Sequence, residues 1–169
     1  MNKLPQLKHI VFMAICFAFI IQACNQETTS TGSSANSTIS GELLADTIIY
    51  TVEIKNYDPN DHWTNECLSK LDRSKMVDKF FESVYNHNAQ AYNYMTEAPM
   101  SVSEVKAIEE QEGFSRDQVG KLQFWESWYY DENKQIMTKK VLAILVSYEA
   151  TTQDGDFLGH KAAFYIKMK

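Results

Sequence analysis

The sequence predicts an α+β domain with an antiparallel sheet of about four strands and two helices packed on one face. One observation is a long hairpin, KLQFWESWYYDENKQIMTKKVLAILVSYE at residues 121–149, with two alternating arms around a polar turn. The other is the element order, which runs strand, helix, helix and then three strands. The chain has 169 residues, 44% of them hydrophobic, so we expect one core and a single domain over residues 47–169.

The N-terminus predicts an export signal followed by a lipid attachment site. Residues 10–21 form an apolar run behind a short basic segment, and the run is too short for a stable membrane span. It ends in IQAC, which resembles a bacterial lipobox, so residues 1–23 are the predicted lipoprotein signal peptide and Cys24 the predicted lipidation site. The alternative is an ordinary secretory signal that happens to precede a cysteine.

The predicted lipid anchor also indicates a location for the protein. Acyl chains such as palmitate on Cys24 would tether the protein to a membrane in place of a span. By resemblance to known sorting rules, Asn25 after the cysteine favours the outer membrane. Residues 24–46 are the predicted tether, because most of this segment is Ser, Thr, Gly and Asn.

Charge and cysteine content constrain the partners of the exported chain. Loss of the signal removes two lysines, so the 16 basic residues become 14 against 22 acidic ones, a net charge of −8. That charge disfavours nucleic acid and anionic lipid surfaces as partners. Cys67 would be the lone thiol of the domain, and we expect it to be buried, the alternative being a disulfide between chains.

The first strand and the two helices follow from periodicity. Alternation beginning near Asp46 predicts a strand whose apolar face is Ile48, Tyr50, Val52 and Ile54. Ser74 is the predicted cap of a helix with the apolar stripe Met76, Val77, Phe80, Phe81, Val84 and Tyr85. Ser101 and Glu104 fit a capping box that opens a second, shorter helix.

The hairpin and the last strand complete the predicted sheet. One face of the first arm carries Leu122, Phe124, Glu126, Trp128 and Tyr130. The other face includes Trp125 and Tyr129, which we interpret as a possible partner-binding face. In the second arm, Leu142, Ile144, Val146 and Tyr148 lie opposite Val141, Ala143, Leu145 and Ser147, as is typical of a central strand. The last strand is predicted to place Ala162, Phe164, Ile166 and Met168 on one face.

Motifs for common chemistries are missing from the sequence. It contains no nucleophile elbow, phosphate loop, dinucleotide fingerprint or His-Glu-x-x-His. His62, His87 and His160 are scattered along the chain, so we predict neither a metal site nor a cofactor. We therefore do not expect an enzyme.

Glu126 is the carboxylate of greatest chemical interest. Its place between Phe124 and Trp128 on one strand face would desolvate it and raise its pKa. The alternative is a structural glutamate paired across the sheet with a lysine, for example Lys139. We favour the structural interpretation, because no second acid or nucleophile shares its neighbourhood in the sequence.

An ordered set of motifs resembles a known family. FWESWYYD at residues 124–131, a short turn and KVLAIL at 140–145 resemble the GldN/PorN family of gliding-motility and type IX secretion proteins. Further similar pieces are the FF helix leading to AY at 91–92, the helix opening SVSEV, and DGDF before the aromatic strand at 164–165. Together they cover most of residues 47–169 in the same order. The chain departs from the family where Ser147 and Tyr148 replace a proline and where the family's arginine-rich motif is absent after the first strand.

The resemblance implies a non-enzymatic assembly role in the periplasm and no catalytic residues. Family members dock onto a separate outer-membrane lipoprotein, whereas this chain has its own predicted anchor at Cys24, which favours an accessory lipoprotein or paralogue. We therefore predict an outer-membrane lipoprotein, facing the periplasm, that binds a protein partner. The alternative is a small-ligand or enzymatic pocket between helix and sheet that uses Glu126 or Tyr92, and a surface adhesin is a third hypothesis.

Overall fold

Six antiparallel strands and three helices make up the computed structural model, which describes residues 39–152 and 154–169. The elements in chain order are β1 (Glu42–Glu53), α1 (His62–Leu68), α2 (Arg73–Tyr85), β2 (Ala91–Tyr92), β3 (Pro99–Met100), α3 (Val102–Glu109), β4 (Val119–Asp131), β5 (Ile136–Thr151) and β6 (Phe157–Lys167). No helix in this part of the chain has the length and apolar character needed to cross a membrane. The predicted signal peptide, Cys24 and the first part of the tether lie outside the described residues.

The α+β class and the antiparallel sheet are confirmed, but the predicted numbers of elements were too low. The sheet order is β1-β4-β5-β6-β2-β3, with the long hairpin near its middle. The two additional strands, β2 and β3, have two residues each, and the additional helix α1 has seven. The sequence indicates only an extended piece at residues 91–94 and a helical turn around residues 67–71, because elements this short carry too little periodicity to be assigned as a strand or a helix.

Strand β1 is an edge strand that begins before the position expected near Asp46. Glu42 pairs with Tyr130 and Leu43 with Tyr129, so the pairing extends to the tip of the hairpin. Gly41 precedes this pairing with φ +110°, and a Cβ there would lie 2.5 Å from the carbonyl carbon of Tyr130. A glycine is therefore required where the chain enters the sheet.

Two β-bulges alter the predicted strand faces. Trp125 pairs with Ala143 but Glu126 pairs with Val141, so one residue of β5 is bulged out between them. Val141 consequently packs against the main core, on the opposite face from the one predicted.

A second bulge in β6 has a similar effect. Val146 pairs with Phe164, whereas the next residue, Ser147, pairs with Ala162. Ala162 then packs with Leu145 and Tyr165 rather than sharing a face with Phe164. Strict alternation cannot predict such shifts, because one inserted residue inverts every position beyond it.

The helix caps agree only in part with the prediction. Ser101 accepts the backbone N–H of Glu104 at 3.2 Å and the Glu104 carboxylate accepts the Ser101 N–H at 2.6 Å, which confirms the capping box. Helix α2 is capped by Asp72, which accepts the N–H of Lys75 at 3.0 Å, and not by Ser74.

Cys67 is exposed, and the prediction that it is buried was wrong. It lies on α1, a seven-residue helix without a buried side chain. A short helix on the surface that buries none of its side chains leaves the thiol accessible.

The main core lies between α2, α3 and one face of the sheet. Phe81 of α2 is fully buried and meets Phe164 of β6 edge-to-face, with ring centroids 5.0 Å apart. Val77, Val105 and Leu122 are buried around this pair. We name the sheet face on this side the helix face and the opposite one the second face.

Candidate functional site

The second face carries a cluster of aromatic rings. The Tyr92 and Tyr165 rings are stacked at 5.2 Å, the Trp125 ring lies 5.9 Å from Tyr165, and the Tyr94 ring lies 6.5 Å from Trp125. The ammonium group of Lys167 is 4.6 Å from the Tyr92 centroid, a cation–π distance. We name these four rings the aromatic cluster.

Aromatic rings reach this face because three separate segments converge there. Trp125 belongs to β4, Tyr165 to β6, and Tyr92 pairs with Tyr165 through the short strand β2. Leu145 and Ala143 of β5 lie buried beneath the rings. The cluster therefore has an apolar base and a margin that ends in Lys167 and the exposed Met95.

The structure places Trp125 and Tyr129, the predicted partner-binding residues, at different points of one strand. Trp125 belongs to the aromatic cluster. Tyr129 lies four residues further along β4, between Leu43 and Thr138. Ser127 separates them and is buried, donating its hydroxyl to the backbone carbonyl of Asp46. The two aromatic residues are therefore not in one contiguous cluster.

An open groove of about 790 Å³ adjoins the cluster on the second face. Its sheet residues are Thr51, Glu53, Lys121, Gln123, Ser147 and Glu149. Strand pairing explains their convergence, because Lys121 lies between Glu53 on β1 and Ser147 on β5, and Gln123 lies opposite Thr51.

Three rings form one wall of this groove. The Tyr57 hydroxyl is 2.8 Å from Nε2 of His160, within hydrogen-bond distance. The Phe157 ring lies 6.2 Å from Tyr57 and 5.3 Å from His160. A loop residue after β1 is thereby joined to two residues of β6, and all three line the groove.

Gly120 permits this position of Tyr57. A Cβ on Gly120 would lie 1.9 Å from the Tyr57 hydroxyl oxygen, a distance that no side chain could accept. Gly120 is buried at an irregularity in the pairing of β4 with β5, between Val119 and Lys121. The phenol ring lies over the backbone because this residue lacks a side chain.

The charges around the groove are paired. Nζ of Lys121 lies 3.4 Å from a carboxylate oxygen of Glu53, and Nζ of Lys55 lies 2.5 Å from Glu149. Burial, followed by the negative charges of Glu149 and Glu53, raises the pKa of Tyr57 to about 12. Its phenol is therefore neutral at physiological pH.

The pKa of His160 is shifted in the opposite direction from that of Tyr57. Burial, followed by the positive charge of Lys121, lowers the pKa of His160 below its ordinary value of 6.5. The imidazole is neutral at pH 7, and neither ring of the hydrogen-bonded pair carries a charge there.

Glu126 is buried on the helix face, at a distance from the groove. Its carboxylate accepts the indole N–H of Trp128 at 3.0 Å. Lys139 does not pair with it as suggested, because its ammonium lies over the Trp128 ring, 4.3 Å from the centroid. Burial, then hydrogen bonding to Glu126 and its charge, raises the pKa of Tyr50. Glu126 thus orients the indole of Trp128.

Glu126 and Tyr92, the residues suggested for a pocket between helix and sheet, lie on opposite faces. Tyr92 packs in the aromatic cluster, while Glu126 contacts Trp128 on the helix face. The space between α2, α3 and the sheet is filled by the core around Phe81. The described residues therefore do not combine Glu126 and Tyr92 into one site.

Asp131, the last residue of the motif FWESWYYD, stabilises the hairpin turn. It accepts the Ser40 hydroxyl at 2.5 Å and the backbone N–H of Lys134 at 3.1 Å. These bonds, with the Ser40 bond first, lower the pKa of Asp131 to about 2. Asp131 therefore links Ser40, which precedes β1, to Lys134 in the turn of the hairpin.

Sequence reasoning did not identify the groove. Tyr57 and His160 are 103 residues apart, and no periodic pattern connects them. Among residues 39–152 and 154–169, no three His, Cys, Asp or Glu side chains converge as a metal site would require.

Comparison with known proteins identifies the family of this chain. Residues 24–169 match the family described as gliding motility associated protein GldN. No curated protein matches the chain. The match extends over the whole described sheet and all three helices, and it agrees with the resemblance of the hairpin motif. This chain belongs to the GldN family of gliding motility associated proteins.

Proposed function

We propose that this protein is a lipid-anchored component of the cell envelope that assists assembly of a gliding-motility or type IX secretion apparatus without catalysing a reaction. Membership of the GldN family supports a role in gliding motility and secretion. The anchor is proposed from the lipobox at Cys24, and the location is the outer membrane, on its periplasmic side.

The aromatic cluster is the observation that carries the proposed protein contact. The helix face is covered by α2 and α3 and filled with apolar side chains, whereas the rings of Trp125, Tyr92 and Tyr94 remain partly accessible. Large aromatic residues within a polar margin commonly supply most of the binding energy of a protein interface. We therefore propose that the partner contacts the cluster around Trp125.

The lipid anchor is tested by fractionation of cells that carry Cys24→Ala. The wild-type protein should sediment with outer membranes after a high-salt wash, and the variant should be released. If the variant still sediments with the outer membrane under these conditions, the lipoprotein proposal is wrong.

The interface is tested by recovery of partners on the tagged protein, with identification by mass spectrometry. Trp125→Ala should lose the partner that the wild-type protein recovers. Trp63→Ala is the matched control, because Trp63 is 73% exposed on α1 and lies outside the cluster. Equal recovery by wild type, Trp125→Ala and Trp63→Ala would show that the contact is elsewhere.

A further inference from the structure

We propose that the groove beside the aromatic cluster binds a neutral oligosaccharide segment. The site adjoins the proposed protein contact and meets it at Tyr94. It is built from the paired charges, the polar side chains and the exposed rings of the second face.

The charge pairs of the groove favour an uncharged ligand. Glu53 is paired with Lys121, and Glu149 with Lys55, so each carboxylate has a nearby ammonium group. The wall adds no charge, since Tyr57 and His160 are both neutral at pH 7. An ion would find no unpaired opposite charge there, whereas a neutral ligand can hydrogen-bond to the charged groups without the cost of its own desolvated charge.

Polar side chains of the groove favour a ligand rich in hydroxyl groups. Thr51, Gln123 and Ser147 line it side by side on three neighbouring strands. Ser147 and Thr51 can each donate and accept, and the Gln123 amide does both. Sugar hydroxyl groups also donate and accept, so they match this row better than a purely apolar or purely accepting ligand does.

The wall supplies the apolar surface that a sugar ring needs. Tyr57 is 42% exposed and Phe157 58% exposed, although both lie beside His160. The C–H groups on one face of a pyranose pack against aromatic faces, which carry negative potential. A ring stacked there would direct its hydroxyl groups toward the polar residues of the sheet.

The shape of the second face favours a chain of sugar units over a single one. A second depression of about 500 Å³ shares Gln123, Ser147 and His160 with the groove and continues to Tyr94 and Met95. The two depressions therefore adjoin across β4, β5 and β6. Together they suit an extended ligand that runs from the polar row to Tyr94, at the edge of the aromatic cluster.

The test is saturation-transfer NMR and calorimetry on the full chain in detergent, with three trisaccharides as probes. The neutral probes are cellotriose and N,N′,N″-triacetylchitotriose, and the charged probe is trigalacturonate. At least one neutral probe should bind, and which one does so distinguishes a plain hexose glycan from an amino-sugar glycan. Phe157→Ala and Gln123→Ala should each weaken that binding by about tenfold, as the loss of one stacking or hydrogen-bonding group predicts.

Controls make each result decisive. Trp63→Ala should bind like wild type, and circular dichroism should show that all three variants are folded. Phe157 is exposed at the start of β6, so its variant keeps the test valid even if Gln123→Ala unfolds. Absence of saturation transfer to both neutral probes, preference for trigalacturonate, or unchanged binding in Phe157→Ala would each overturn the proposal.

Discussion

Gly120→Ala should move Tyr57 away from the groove wall. The loss in free energy of unfolding can be calculated from the contacts that Tyr57 makes. The new Cβ would lie 1.9 Å from the Tyr57 hydroxyl oxygen, 2.9 Å from its Cζ and 3.3 Å from the Cβ of Lys55. The backbone atoms are not in conflict, and Tyr57 is partly exposed, so its side chain can rotate into solvent. The substitution should therefore lower the free energy of unfolding only through the loss of the contacts that Tyr57 makes.

Those contacts correspond to a modest free energy. The hydrogen bond between Tyr57 and His160, at 2.8 Å and partly exposed, contributes about 1 kcal/mol, and ring packing against Phe157 about 0.5–1 kcal/mol. Replacement of a strand glycine by alanine returns about 0.5–1 kcal/mol of backbone entropy. We expect Gly120→Ala to lower the free energy of unfolding by about 0.5–1.5 kcal/mol.

A double-mutant cycle separates this cause from general damage to the strand. In a Tyr57→Ala background the conflicting atoms are gone, so Gly120→Ala should be neutral or stabilising by about 0.5 kcal/mol. Urea unfolding of the four proteins should then give a coupling energy of about 0.5–2 kcal/mol. If Gly120→Ala destabilises both backgrounds equally, the predicted contact with Tyr57 is wrong.

The titration of His160 provides an independent measurement. Departure of the Tyr57 ring should raise the pKa of His160 toward 6.5, because burial is the main cause of its lowered value. In wild type, stability should decrease as the pH falls from 6.5 through the lowered pKa, since the unfolded chain binds the proton more readily. Gly120→Ala should lose part of this dependence. An unchanged His160 titration by NMR would refute the mechanism.

Two further predictions concern the core and the hairpin. Phe81→Ala should lower the free energy of unfolding by about 3–5 kcal/mol in urea titrations, because the ring is fully buried against Phe164. Phe80→Ala is the control and should lower it less, because Phe80 is only half-buried. Equal effects of the two substitutions would contradict the core assignment. The lowered pKa of Asp131 stabilises the wild-type protein; this stabilisation is fully present above about pH 4 and is lost as the pH falls to about 2. Asp131→Asn should remove it. Acid unfolding followed by circular dichroism measures this, with Glu132→Gln as the exposed control, and parallel curves for wild type and Asp131→Asn would contradict it.

The elements that the sequence predicted correctly are those with long local patterns. Alternation over the hairpin predicted β4 and β5, and the capping box at Ser101 predicted the start of α3. The face of Val141 and the exposure of Cys67 were predicted wrongly, because a bulge and a short surface helix depend on neighbours that a local pattern does not contain. For Glu126 the structural interpretation had the wrong partner, since Trp128 lies on the same strand and Lys139 stacks on its ring.

By itself, the sequence determined the α+β class and the GldN family, because periodicity and motif order are properties of contiguous residues. The sequence also placed Trp125 on a second face, but only the tertiary structure determined the groove and the other members of the aromatic cluster, because both combine residues from distant segments. Tyr57 meets His160 because Gly120 leaves space above the β4 backbone. That contact depends on strand register and on a missing side chain, and neither of these produces a signal in the linear order of residues.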